Sequence, residues 1–104
     1  VTAKTYVNIE IQDEVFIARL YGELDHHSVQ PLREEIDAMA LQNRPKELIL
    51  DFAGVGFMDS SGIGLVMGRY KLAQELDAEL RLCGLTAGSK RVMQIAGMDK
   101  LAKF

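Results

Sequence analysis

At 104 residues the chain is long enough for one hydrophobic core and too short for two. Its 48% hydrophobic and 26% charged residues are ordinary for a globular protein, and a formal charge of −3 supplies no broad basic face for nucleic acid or an anionic membrane. A single cysteine, Cys83, excludes an intrachain disulfide and gives no zinc pattern. It lies in the apolar run LRLCGL, where a buried, inert thiol is expected. No apolar stretch approaches the ~18 residues of a membrane span, and the amino terminus lacks a signal-peptide core, so a cytoplasmic protein is expected. The chain starts at Val1 without an initiator Met, which suggests processing or trimming. Acidic residues gather early (Glu23, Asp25, Glu34, Glu35, Asp37) and basic ones late (Lys90, Arg91, Lys100, Lys103), a pattern that reads first as solvated helix faces.

In chain order, residues 4–11 (KTYVNIEI) alternate, with Tyr6 set apart from Val7, Ile9 and Ile11, which predicts a strand with one wetter face. A turn at Gln12-Asp13 leads to a more continuous strand over 15–21, ended by Gly22, and the two form a hairpin. Val29, Leu32, Ile36, Met39 and Ala40 then recur at helical spacing opposite Arg33, Glu34 and Asp37. Ser28 is placed to cap that helix, Pro31 falls in its first turn where a missing N–H costs little, and Asn43 with Pro45 closes it. A buried strand follows at 47–52, then a loop, a helix over about Ser60–Leu76, a strand over 79–84 and a third helix from Thr86 or Ala87 to Ala96, closed by Gly97. The final LAKF has the pattern to start another strand. The order β-β-α-β-α-β-α-(β) predicts one α/β domain with a mixed sheet of four to five strands. It starts as an antiparallel hairpin and continues with parallel strands, covered by helices through right-handed crossovers.

The octet FMDSSGIG at 57–64 is the most informative stretch. It places Ser60 and Ser61 where a loop becomes a helix, and the first turn of a helix offers unpaired N–H groups and a positive dipole end. Ser60 there reads as an N-cap, a nucleophile or a phosphoacceptor. The nucleophile reading is weak, because an elbow needs G-x-S-x-G and Met58 replaces the first Gly; His26 and His27 keep a triad formally open but no oxyanion hole is evident. Phosphate-cradle motifs fail as well: Asp59 stands where the last Gly of G-x-G-x-x-G belongs. Asp25, His26 and His27 lack a third cluster of metal ligands, so histidines bonded locally or facing solvent are the simpler reading. An exposed hydroxyl at a helix start does suit phosphorylation, which adds a dianion at the surface without reorganising the fold. Inside the helix, Gly62, Gly64 and Gly68 each cost about 1 kcal/mol relative to Ala. Packing on the sheet beside a stripe of Ile63, Val66, Met67 and Tyr70 explains Gly68, while Gly62 and Gly64 serve either packing or the close approach of a phosphate or partner loop to Ser60.

Four segments, GELDHH at 22–27, FMDSSGIG at 57–64, GRYK at 68–71 and KRVMQIAG at 90–97, together make the chain resemble the STAS-domain anti-sigma factor antagonists. DHH and GRYK favour the sporulation branch over the general-stress branch. The resemblance implies a non-enzymatic protein, a monomer when free, that binds an anti-sigma factor serine kinase in its dephosphorylated form and so releases a sigma factor. ATP is used by the partner kinase and the domain has no cofactor of its own; a serine phosphatase reverses the modification. It also implies Ser60 as the phosphoacceptor, with Asp25, Asp59, Ser61, Gly62 and Ile63 in the partner-binding surface. Relatives continue past the position of Phe104 with a short strand and a helix, so residues 1–104 are expected to be a single STAS domain without that carboxy-terminal helix. The alternative is a STAS module that senses a ligand or scaffolds a complex without being phosphorylated.

Overall fold

The computed structural model describes residues 4–104; residues 1–3 of the expected domain lie outside the described residues. Strands β1 (Tyr6–Gln12) and β2 (Val15–Leu24) form the hairpin, followed by α1 (Val29–Asn43), β3 (Glu47–Met58), α2 (Ser61–Glu75), β4 (Glu79–Cys83), α3 (Ala87–Ile95) and a single 3-10 turn at Met98–Lys100. The sheet order is β1-β2-β3-β4, with β1 antiparallel to β2 and the other pairs parallel. LAKF contributes one parallel bridge, Lys103 to Arg81 on β4, and no full strand.

Because β2, β3 and β4 succeed one another in one direction, two right-handed crossovers put α1 and α2 on the same face. Alternation follows from that. Phe16, Ala18, Leu20 and Leu24 of β2, Leu48 and Leu50 of β3, and Leu80 and Leu82 of β4 are buried beneath the helices, with Leu32, Ile36, Leu65 and Val66 opposite. The expectation that helices cover the sheet therefore holds for one face only. The other face carries half-exposed Ile17, Tyr21 and Ile49 among ion pairs, Arg19 Nη1 to Glu10 at 2.6 Å and Arg81 Nε to Glu47 at 3.4 Å. Cys83 belongs to that open face, so it is exposed and not buried: one residue past Leu82, strand alternation turns it away from the core. Desolvation together with Asp51 pushes its thiol up, which keeps it protonated.

Two strands run further than their sequence pattern. Gly22 does not end β2; with φ +96 it lets the strand pass close to Lys4 O, where a Cβ would collide, and pairing continues to Leu24. β3 runs to Met58 and not to Phe52. Its register against β2 shifts twice, from Arg19↔Asp51 to Tyr21↔Gly54 and from Gly22↔Val55 to Glu23↔Phe57. Each shift inserts an extra residue into β3, which breaks the period-2 pattern and makes AGVG look like a loop. The bulges thus deliver Met58 and Asp59 to the start of α2 at the sheet's end.

The buried stripe of α2 also differs from expectation. Gly62, Leu65, Val66, Arg69, Leu72 and Ala73 are buried, whereas Ile63, Met67 and Tyr70 are half-buried. Gly68 is not a packing glycine, since a Cβ there would meet nothing within 4 Å; the same is true of Gly64. Gly62 is the one that packs, directly against the Met58 side chain.

Candidate functional site

The loops after β2 and β3 meet at one end of the sheet, joined by Asp59 N–H donating to Leu24 O at 3.1 Å. Each loop closes on a carboxylate that caps the following helix. Asp25 Oδ1 accepts from Ser28 N at 2.8 Å and from His27 N at 3.0 Å. Ser28 occupies the N-cap position of α1 but its hydroxyl makes no capping bond; it accepts from Asp25 N at 2.9 Å and donates to Glu23 O at 2.8 Å. Its backbone is helical, φ −77 and ψ −23, so the orphan N–H groups turn toward Asp25 instead. The hydrogen bonds from Ser28, with a smaller contribution from His27, hold the Asp25 carboxyl below its usual range.

The same arrangement recurs at α2. Asp59 Oδ1 accepts from Ser61 N at 2.8 Å, while Ser60, at the N-cap position with φ −62 and ψ −14, makes no side-chain cap. An N-cap serine normally spends its hydroxyl on the helix. Here Asp59 takes that task and leaves the exposed Ser60 hydroxyl facing outward.

The two serines then part company. Ser60 borders a cleft of about 540 Å³ with Met58, Asp59 and Ile63 on one wall and Thr86, Ser89 and Val92 of the α3 start on the other. Ser61 borders a smaller cavity of about 170 Å³ with His26, Arg33 and Gly64 between α1 and α2. Thr86 caps α3, its hydroxyl accepting from Ser89 N at 3.1 Å, so a second helix start faces the Ser60 cleft. His26 stands on the Ser61 side, edge-on to His27 with ring centroids 5.5 Å apart. No group of three or more His, Cys, Asp or Glu able to hold a metal occurs among the described residues.

Of the residues singled out in the sequence, the structure brings Asp59, Ser60 and Ile63 to one cleft and places Ser61 on its far side. Asp25 is half-buried in its own capping turn, one peptide from the Leu24 link. Gly62 is buried beneath Met58, where its lack of a side chain serves packing. The α3 wall went unread in the sequence. Its one signal was that Val92 and Ile95 add apolar positions beside the core residue Met93, and both prove exposed, Ile95 at 79%.

A family model described as STAS domain matches residues 6–104. The anti-sigma F factor antagonist of Paenibacillus polymyxa is 33% identical over 99 residues, covering 91% of this chain and 85% of its own length. The solved structure of the anti-sigma factor antagonist SpoIIAA in its unphosphorylated form matches with a TM-score of 0.80 at 31% identity, over 93% of this chain and 85% of that one. The Bacillus cell fate determinant SpoIIAA in its phosphorylated form matches with a TM-score of 0.75 at 32% identity, over 93% and 88%.

Proposed function

The chain belongs to the STAS domain family, and from that premise we propose that it is an anti-sigma factor antagonist of the sporulation branch, switched by phosphorylation of Ser60. The observation that carries this reading is the division of labour at α2: Asp59 caps the helix, so the Ser60 hydroxyl is exposed and uncommitted. In the dephosphorylated form the surface around Ser60 binds an anti-sigma factor that is also a serine kinase, and the sigma factor is released. In the reverse direction Ser60 Oγ attacks the γ-phosphorus of the kinase's ATP; the new O–P bond forms as the bond to the β-phosphate oxygen breaks, ADP leaves and the hydroxyl proton passes to the kinase. The dianion that results stands beside Asp59, where like charge and desolvation weaken the complex. A serine phosphatase removes it. The domain needs no cofactor in this cycle and performs no chemistry of its own. The matched relatives named as anti-sigma F factor antagonist and as phosphorylated SpoIIAA support the reading.

Incubation of the protein with the anti-sigma factor kinase of its own organism and ATP, followed by mass spectrometry, is expected to add one phosphoryl group at Ser60. Modification that persists in Ser60→Ala, or is lost only in Ser61→Ala, would overturn the assignment. A partner complex insensitive to ATP and to Ser60→Asp would instead indicate a scaffolding or ligand-sensing module.

A further inference from the structure

We propose that the cavity between the starts of α1 and α2 is a binding site for a free phosphate-type oxyanion, held by Arg33, His26 and the Ser61 hydroxyl. The site is separate from the Ser60 cleft and does not depend on the switch proposed above.

This cavity of about 170 Å³ is lined by His26, Val29 and Arg33 on one side and by Ser61, Gly64 and Leu65 of α2 on the other. Val29 and Leu65 are buried and make an apolar floor, while His26, Arg33 and Gly64 are exposed at the rim. None of these residues is acidic, although the chain carries a net charge of −3. A recess with cationic donors over low-dielectric walls concentrates the field and gathers anions. Its polar groups are also free. Arg33 stands four residues before Asp37, a spacing at which helix side chains pair, but Asp37 is taken by Arg69. Arg33 therefore has no ion pair among the described residues. The carboxylates of the two neighbouring loops, Asp25 and Asp59, are spent on caps. Ser61 gives its backbone N–H to Asp59 and leaves its hydroxyl without a partner among the described residues. Gly64 packs against nothing, since a Cβ there would meet no atom within 4 Å. Its cost to the helix is explained if the recess must stay open.

Size selects the ligand. Pockets for organic molecules run to about 300–1,000 Å³, so a recess of about 170 Å³ takes a small ion and little attached to it. A tetrahedral oxyanion suits the donors present. The planar guanidinium of Arg33 can offer two parallel N–H groups to two of its oxygens, and the Ser61 hydroxyl and a ring N–H of His26 serve the others. A bound ion would tie the start of α1 to the start of α2, whose loops already meet where Asp59 N–H donates to Leu24 O. It would thereby steady the turn that carries Ser60.

The test titrates the full chain with inorganic phosphate, follows the backbone amides by two-dimensional NMR and holds ionic strength constant with sodium chloride. Saturable shifts are expected at His26, Ser61 and Gly64, with a dissociation constant on the order of 1 mM, the scale that two charge-assisted hydrogen bonds supply. The thermal unfolding midpoint is expected to rise over the same phosphate range. Arg33→Gln is expected to weaken binding roughly tenfold or more. Gly64→Leu fills the recess and is expected to abolish binding while melting no lower than the parent, because it removes a helix glycine. Lys90→Gln, in the separate groove it shares with Arg81 and Lys103, is expected to bind as the parent does. O-phosphoserine, which carries the same group on an organic tail, is expected to bind more weakly than phosphate. Shifts that are absent, that chloride alone reproduces, or that survive both Arg33→Gln and Gly64→Leu overturn the site. Equal loss in Lys90→Gln would reduce it to the general field of surface cations and overturn it as well. Tighter binding of phosphoserine would overturn the free ion in favour of a phosphorylated side chain.

Discussion

At the residue scale, the site depends on two aspartates doing what serines usually do. Asp25 and Asp59 each accept a backbone N–H two residues on, and Asp25 takes one three residues on as well. The family resemblance implies an external role for Asp25; the structure gives it an internal one first, the capping of α1. That role carries a pH signature. The carboxyl of Asp25 is held below its usual range by hydrogen bonds from Ser28 and His27, so its ionised form is favoured by folding. Its contribution to stability is complete above the unfolded carboxylate value of about 3.9 and is lost as pH falls through the depressed folded value. Asp25→Asn keeps a capping side chain but cannot ionise. Urea unfolding at pH 7 should therefore show the parent more stable than Asp25→Asn, with the gap closing toward pH 3. A gap independent of pH would mean that the carboxylate's charge does not matter to the cap.

At the element scale, α1 and α2 are joined by a pair that the helical pattern concealed. Arg69 occupies a core position of α2, only 3% exposed, and meets Asp37 of α1 with Nε 2.8 Å from Oδ1 and Nη2 donating to Oδ2 at 3.1 Å. Only the Nη2 contact is a hydrogen bond; Nε, Nη1 and Asp37 Oδ1 are buried without a hydrogen-bond partner among the described residues. Desolvation raises the Asp37 carboxyl and lowers the Arg69 guanidinium, each against the pull of the other, as burial does to two charges taken out of water together. Breaking one side should then be worse than replacing both. Asp37→Ala is expected to destabilise the protein by about 3 kcal/mol in urea unfolding, because Arg69 stays buried and unpaired. The double variant Asp37→Leu with Arg69→Met is expected to recover most of that loss. No recovery would show that the pair is net stabilising.

The same helix shows why periodicity found the element and missed its content. Counting Ile63, Val66, Met67 and Tyr70 as the stripe located α2 within a residue at either end, yet Leu65, Leu72 and Arg69 hold the deeper positions. A stripe over a hundred degrees wide is compatible with several rotations when apolar residues are this dense. The strand ends failed for another reason. β3 past Phe52 is held by pairing of Val55, Phe57 and Met58 with β2, and its bulges erase the alternation by which a strand is recognised.

At the scale of the whole molecule, the order and direction of the elements were legible because each crossover admits one hand, whereas the cleft was not. Its two walls, at Met58–Ile63 and at Thr86–Val92, are joined only by the return of the chain through α2 and β4. Local sequence shows each wall and says nothing of their facing one another. This separation also determines what the proposed phosphorylation of Ser60 would do to the molecule. The residue is exposed, contributes no cap and lies outside the core, so no packing is lost when it is modified. A dianion at the α2 start gains about 0.3–1 kcal/mol from the helix dipole and loses a comparable amount to the nearby Asp59. A net change below about 1 kcal/mol moves the unfolding midpoint of a domain this size by no more than roughly 4–8 °C. Thermal unfolding of the unmodified and singly phosphorylated proteins, followed by circular dichroism, should thus give nearly coincident transitions while affinity for the kinase falls sharply. A fall of more than about 10 °C, well beyond what 1 kcal/mol produces, would mean that the phosphate melts the start of α2. The switch would then act by unfolding its own docking surface and not by charging it.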